Sequence, residues 1–445
     1  MEIDIKYPNF KNLNEKINKF KFTSNTLATI LIIAIMVVIP MLFLPYIYEK
    51  TNQLLLTYYF TGITLIGFLI LKIYNHVKNV EKITFKLKIK LDLVDIAFII
   101  YAILIMASAL LSEWFPHTLI TGTIARHEGA LTLYLYIVLF YIAYKVFKFD
   151  TKYLPYMAAS TMLISAIGIV QAIIFYPTAL HKYMAFGSFG NPNFFSTYLS
   201  MFLPIYIIVY LVKGNKFYLL TSIITFAALV CTKTLGGYIT FLIYLIIILI
   251  YAISQKVDFK RIGILLLAFS LAFILLNICT NNTYLKEFVS LEKEQTNLTE
   301  NTDRFGSGRG LIYKLGLEIV SLNPWLGIGP DSLGAEILYK YYYQPRYTSE
   351  LLFDKAHCEY LQIAICTGIP SLICYIIAIG TIGIKLFIKF LKNKKDITVF
   401  AIGISLLSYL IQAFTNISVT HVAPMFWIIL GIGYSLCKDT SLENK

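Results

Sequence analysis

Residues 354–364 read DKAHCEYLQIA, and a long apolar run with a Gly-Ile-Pro break at 368–370 follows. His357, Cys358 and Glu359 therefore stand side by side at the mouth of a greasy segment. Side chains of these types suit proton transfer by histidine, metal ligation, or attack by an activated thiol; they equally suit the polar margin where a helix leaves a bilayer. Spacing weakens two of these readings. Helical residues two apart diverge, so His357 and Glu359 make a poor metal pair. Adjacent helical side chains do not face each other, so His357 is badly placed to activate Cys358. Two readings stay open: an inert helix mouth, and His357 acting with arginines from elsewhere in the chain.

Four other stretches hold polar groups that could join it. In RFGSGRGLIYKLGLEIVSLNPWLGIGPDSLG, Ser307 is suited to cap a helix starting near Gly308, and Leu311, Ile312, Leu315, Ile319 and Val320 form its apolar stripe. Arg309 then falls in the first turn, where a cation and free amide N–H groups make a phosphate seat; the alternative is a solvated arginine. In LSEWFPHTLITGTIARHEGALTLYLY stand Glu113, His117, Arg126, His127 and Glu128. An arginine leading into an apolar span is costly unless it snorkels or is paired, which makes Arg126 the strongest of the five by position. In AFGSFGNPNFFSTYL, Asn191 and Asn193 could bond sugar hydroxyls, though capping the next helix explains Asn193 nearly as well. KYYYQPRY at 340–347 offers aromatic platforms and Arg346 for glycan or phosphate, or an interfacial aromatic belt with a snorkelling arginine.

The elements that must position these groups follow from composition. Of 445 residues, 58% are apolar and 14% charged, with mean hydropathy +0.70; a soluble protein of this size carries about 25% charged residues. The chain is read as an all-α polytopic membrane protein. Apolar stretches near the ~20 residues needed to cross the hydrocarbon recur at 27–47, 54–71, 94–112, 130–147, 154–176, 194–212, 217–231, 235–253, 261–280, 363–388, 397–414 and 420–437, which predicts about 12 spans. The first follows a Lys-rich tail without a small-residue cleavage signal and is read as retained. Loops assigned to the inner face hold 26 of the 38 Lys and Arg, whereas the four short outer loops between spans 1 and 8 hold Lys50, Arg126, Lys182 and Lys233. Both termini, 1–26 and 438–445, are therefore expected in the cytoplasm.

The +13 net charge suits anionic lipid headgroups and gives no support to nucleic-acid binding. Six cysteines at 231, 279, 358, 366, 374 and 437 show no CxxC spacing, so no disulfide framework or metal cage is implied. Between spans 1–9 (27–280) and spans 10–12 (358–437) lies one long outer loop, 281–357, which carries Arg309 and ends at His357.

Three stretches together resemble the O-antigen ligase and polymerase superfamily: FGNPNFFSTYLSMFLP at 189–204, SGRGLIYKLGLEIVSLNPWLGIGPDSLG at 307–334, and AHCEYLQIAICTGIPSLICYI at 356–376. The resemblance extends over roughly residues 95–435 in order and spacing. It implies a GT-C-like fold of about a dozen helices in the bacterial cytoplasmic membrane. It also implies transfer of a glycan from undecaprenyl diphosphate to a glycan, lipid or protein acceptor at the extracytoplasmic face, with no cofactor and no metal. By motif, His357 corresponds to the family's acceptor-activating histidine, and Arg309 and Arg126 to its diphosphate-binding arginines. Where relatives commonly read His-Asn-Glu-Tyr, this chain has Cys358. Secondary contacts to donor or acceptor fall to Glu113, Glu128, Asn193, Arg346, Glu359 and Tyr360.

Two alternatives remain at this stage. A polymerase joins one lipid-linked repeat to another instead of passing the glycan to a distinct acceptor. A transporter of the same lipid-linked sugars would more naturally place ionisable groups near the bilayer midplane than at the outer interface.

Overall fold

The computed structural model describes residues 23–42, 49–79, 91–120, 122–123, 126–175, 182–287, 305–341 and 353–438. Among these residues the regular elements are all helical. Eight helices are long and apolar enough to cross a membrane. They are α1 (Ser24–Ile33, continued by turns to Met41), α2 (Glu49–Asn79), α3 (Leu93–Leu111), α5 (Leu154–Ile173), α6 (Pro192–Lys213), α8 (Leu235–Ser254), α9 (Phe259–Cys279) and α13 (Ile369–Lys392). Four shorter apolar helices coincide with the remaining expected spans: α4 (Ala130–Lys145), α7 (Lys216–Cys231), α14 (Ile397–Gln412) and α15 (Ala423–Cys437). In the outer-loop region lie α10 (Phe305–Leu322) and the single turn α11 (Leu333–Glu336), and α12 (Glu359–Thr367) precedes α13.

The arrangement is apolar outside as well as inside. Ile63, Ile66, Leu69, Ile70 and Ile73 line an exposed face of α2, and α9 exposes Leu267, Ile274, Leu275 and Ile278. Such faces are what hydrocarbon, not water, leaves uncovered. Several hydroxyls inside the spans are satisfied locally: Thr61, Thr161, Thr221 and Ser408 each donate to the carbonyl four residues back. With these helices the chain is a multi-pass membrane protein.

The pillar of the bundle is α6, whose span is 94% buried. Its start is set by Asn191, whose side chain accepts from the Asn193 amide, and by Pro192 at the first turn. Asn191, not Asn193, is thus the cap. Helix α14 packs along α6, and α13 packs along α3. Gln412 on α14 donates to Ser200 and accepts from Thr197, a buried polar seam that fixes the two helices in register.

The expected span 363–388 is two helices. Gly368 at φ +89 ends α12, and Pro370 starts α13. The segment Pro324–Gly329 wraps this break. Amides of Ile328 and Gly329 donate to the carbonyls of Ile365 and Cys366, and the Ile369 amide donates to Pro324. These bonds satisfy carbonyls that a helix end leaves orphaned. They also explain the glycines of LGIG: a Cβ on Gly327, at φ +65, would stand 2.4 Å from the Ile365 oxygen.

Candidate active site

The site is assembled on the run Asp354–Glu359, which is held from several parts of the chain. Asp354 takes a two-point bond from Arg126, with Nε at 2.7 Å and Nη2 at 3.0 Å. Lys355, 2% exposed, contacts Glu128 at 2.7 Å and Asp331 at 2.9 Å. The Ala356 amide donates to the side-chain oxygen of Gln362 at 2.7 Å. His357 then adopts a left-handed backbone, φ +51, a conformation costing a non-glycine residue roughly 1–2 kcal/mol and held here by the anchors before and after it. Cys358, extended, caps α12 through its backbone carbonyl, which accepts from Gln362.

The histidine therefore sits just outside the helix, not on a helical face shared with Tyr360. The hydroxyl of Tyr313 on α10 donates to the His357 carbonyl at 3.3 Å and also reaches the Phe414 carbonyl. Arg309 lies one turn before Tyr313 on the same face of α10. Among the described residues this helix runs from Phe305, and Gly308 within it stands at φ +91, immediately before Arg309. Burial, then Arg309 and Arg126, press His357 below its ordinary pKa, with Asp354 opposing them. The three residues singled out in three separate stretches thus share one electrostatic environment.

Beneath them lies a buried charged foundation. Asp331 accepts from the backbone and hydroxyl of Thr123 at 2.7 and 2.9 Å and from the Glu128 amide. Glu128 also accepts from Ser418 at 2.9 Å and Tyr136 at 3.2 Å. Burial opposes the charge of Lys355, but Asp331 and Glu128 hold its ammonium above the ordinary lysine range. A cavity of about 50 Å³, large enough for water, continues inward between Glu128, Asp331, Lys355, Glu359 and Tyr101.

Other expected contacts lie elsewhere. Glu359 is buried, bonded by Tyr375 at 2.5 Å and Tyr409 at 2.8 Å, so it pins α12 to α13 and α14 instead of orienting His357. Glu128, engaged by Lys355, is likewise not a spare proton acceptor. Glu113 pairs with Lys340 at 2.7 Å on an exposed rim. The Tyr360 hydroxyl donates to the Leu410 carbonyl and its ring packs on Phe414. The carbonyl of Asn193 accepts from Asn416. Arg346 lies outside the described residues.

Sequence reasoning passed over Asp331, Asp354 and Lys355. The available signal was an opposite-charge pair immediately ahead of the candidate histidine, a pattern that reads just as well as a solvated flank.

The comparison with curated proteins finds no match. Residues 220–376 match the family model described as O-antigen ligase, a region that contains Arg309, Asp331 and the whole Asp354–Glu359 run and leaves Arg126 and Glu128 outside it. Over residues 220–376 this multi-pass membrane chain is therefore similar to the O-antigen ligase family.

Proposed function

We propose that the protein transfers a glycan from undecaprenyl diphosphate to an acceptor hydroxyl at the extracytoplasmic face of the bacterial cytoplasmic membrane. The twelve apolar helices all cross the bilayer in this reading, with both termini inside. The observation that carries it is the convergence of Arg309 and Arg126 on His357, whose pKa both arginines depress, within a chain matched to the O-antigen ligase family.

The chemistry follows from those groups. A diphosphate on the anomeric carbon is already a leaving group, and what it needs is stabilisation of the charge that develops as the C–O bond breaks. Two guanidinium groups supply that through fork-shaped hydrogen bonds to phosphate oxygens. His357, kept neutral by burial and its cationic neighbours, accepts the proton of the acceptor hydroxyl as the oxygen attacks the anomeric carbon. One C–O bond forms and one breaks; the electron pair leaves on undecaprenyl diphosphate, and the proton resides on His357 until water takes it. Attack from the face opposite the leaving group inverts the anomeric centre.

The ligase reading is tested against polymerisation by mass analysis of products from the purified protein with lipid-linked glycan, with and without a separate acceptor. A ligase gives one adduct that requires the acceptor; a ladder from donor alone indicates a polymerase. Near-normal transfer by His357→Ala would remove the histidine from the mechanism.

A further inference from the structure

We propose that Asp354 is a positioning residue that fills the phosphate seat on Arg126 while the donor is absent and turns to His357 when the diphosphate takes its place. The proposal rests on the transfer reaction above and adds to it a residue whose position changes during the cycle.

The geometry of Arg126 is the starting point. Its Nε and Nη2 edge, one of the two that grip an oxyanion in two-point fashion, is already occupied by the Asp354 carboxylate. One face of the guanidinium lies over the Phe194 ring, 5.7 Å from its centroid. An incoming phosphate that uses this edge must therefore stand where the Asp354 oxygens now stand. Carboxylate and phosphate are chemically alike in this role, and the resident carboxylate marks the seat.

Asp354 is also able to leave. Its side chain is 32% exposed, at the mouth of the site, whereas Lys355 beside it is locked between Glu128 and Asp331. Rotation about the side-chain bonds of residue 354 can release the carboxylate while the backbone of 355–357 stays fixed. Asp354 already exerts an attraction on the His357 proton, opposed by Arg309 and Arg126 on the facing elements; Lys355 also acts on Asp354, Glu128 and Asp331 act on Arg126, and Tyr313 and Cys358 face the same corner. When diphosphate charge neutralises the two arginines and Lys355 stays engaged by Glu128 and Asp331, the freed carboxylate remains within electrostatic reach of His357. Asp354 then orients the imidazole and stabilises the imidazolium formed as the acceptor loses its proton. The consequence is an order of events: the base becomes effective after the donor is seated, which limits loss of donor to water.

Steady-state kinetics of the full-length protein in lipid nanodiscs, with lipid-linked donor and acceptor, test this through Asp354→Asn and Asp354→Ala. Removing the resident anion should lower the donor KM about tenfold, equivalent to about 1.4 kcal/mol, and should lower kcat at least tenfold because His357 loses its partner. Asp354→Glu, which keeps an anion, should retain the wild-type KM. A KM that rises or stays constant in both neutral variants would mean that Asp354 merely braces Arg126, and an unchanged kcat would mean that it never serves His357; either result overturns the proposal. Should the Asn variant not accumulate in membranes, the Ala variant and direct binding of undecaprenyl diphosphate to it carry the comparison. Failure of the transfer reading is distinct: His357→Ala would then turn over normally, whatever Asp354 variants do to KM.

Discussion

Residues 354 and 355 are neighbours that make ion pairs in opposite directions and in different surroundings. Lys355 turns inward to Glu128 and Asp331, and all three side chains are nearly sealed from solvent. Asp354 turns outward to Arg126, where the two side chains keep 32% and 17% of their exposure. The inward cluster has surrendered its water, so removing one member leaves an uncompensated charge in a dry place. The outward pair keeps access to solvent and to ligand, so it can exchange partners at modest cost. One peptide bond thus separates a foundation from what is, in the proposed reaction, a working surface.

The comparison breaks first at Lys355. Lys355→Met should cost on the order of 3–5 kcal/mol, because two carboxylates lose their cation. Thermal unfolding in detergent would register it as a large fall in midpoint, and a shift of a degree or less would show the foundation to be unimportant. Next comes Arg309→Gln, which leaves the foundation intact. Turnover should fall by roughly 10²-fold, the scale for losing one transition-state donor, with the unfolding midpoint unchanged. It should also move the acid limb of the pH–rate profile upward. Arg309 depresses the His357 pKa, so its removal lets the imidazole take a proton at higher pH, and the base must be neutral to act. A limb that moves downward would contradict the shared environment.

Smaller effects sharpen the boundary. Gly327→Ala forces a Cβ against the Ile365 carbonyl at a positive φ and should destabilise by about 1–3 kcal/mol. Loss of turnover without loss of stability would mean that the clasp matters to the site more than to the fold. At the rim, Glu113→Gln removes the exposed pair with Lys340 and should alter stability by less than about 1 kcal/mol and leave kcat as it was. A large kcat effect there would extend the working surface beyond Arg126 and Asp354.

The helices were legible in the sequence because a bilayer imposes a length and an apolarity on each crossing, and along the described chain the expected stretches fall on helices, with 363–388 broken into two. Arg126 stood out because a charge leading into a span is costly without a purpose, Arg309 because a cation at a helix start suits a phosphate, and His357 because an imidazole at a helix mouth suits proton transfer. Their supports were not legible. Glu128 lies 227 residues before Lys355 in the chain, and no local pattern announces a pairing over that distance. Glu359 and Tyr360 looked like companions of His357, yet the helix begins after the histidine and turns both toward α13 and α14.

What the sequence determined by itself is therefore a set of apolar crossings, an unequal distribution of lysine, and three polar stretches able to handle a phosphate and a proton. Those properties reside in residue type and short-range spacing, which solvent and bilayer read directly. Tertiary structure alone decided that Asp354, and not solvent, holds Arg126, that Lys355 neutralises two loops at once, and that His357 leaves the helix before it starts. Each of these depends on which side chains from distant segments meet in a volume too dry to leave a charge alone, and that is settled by packing.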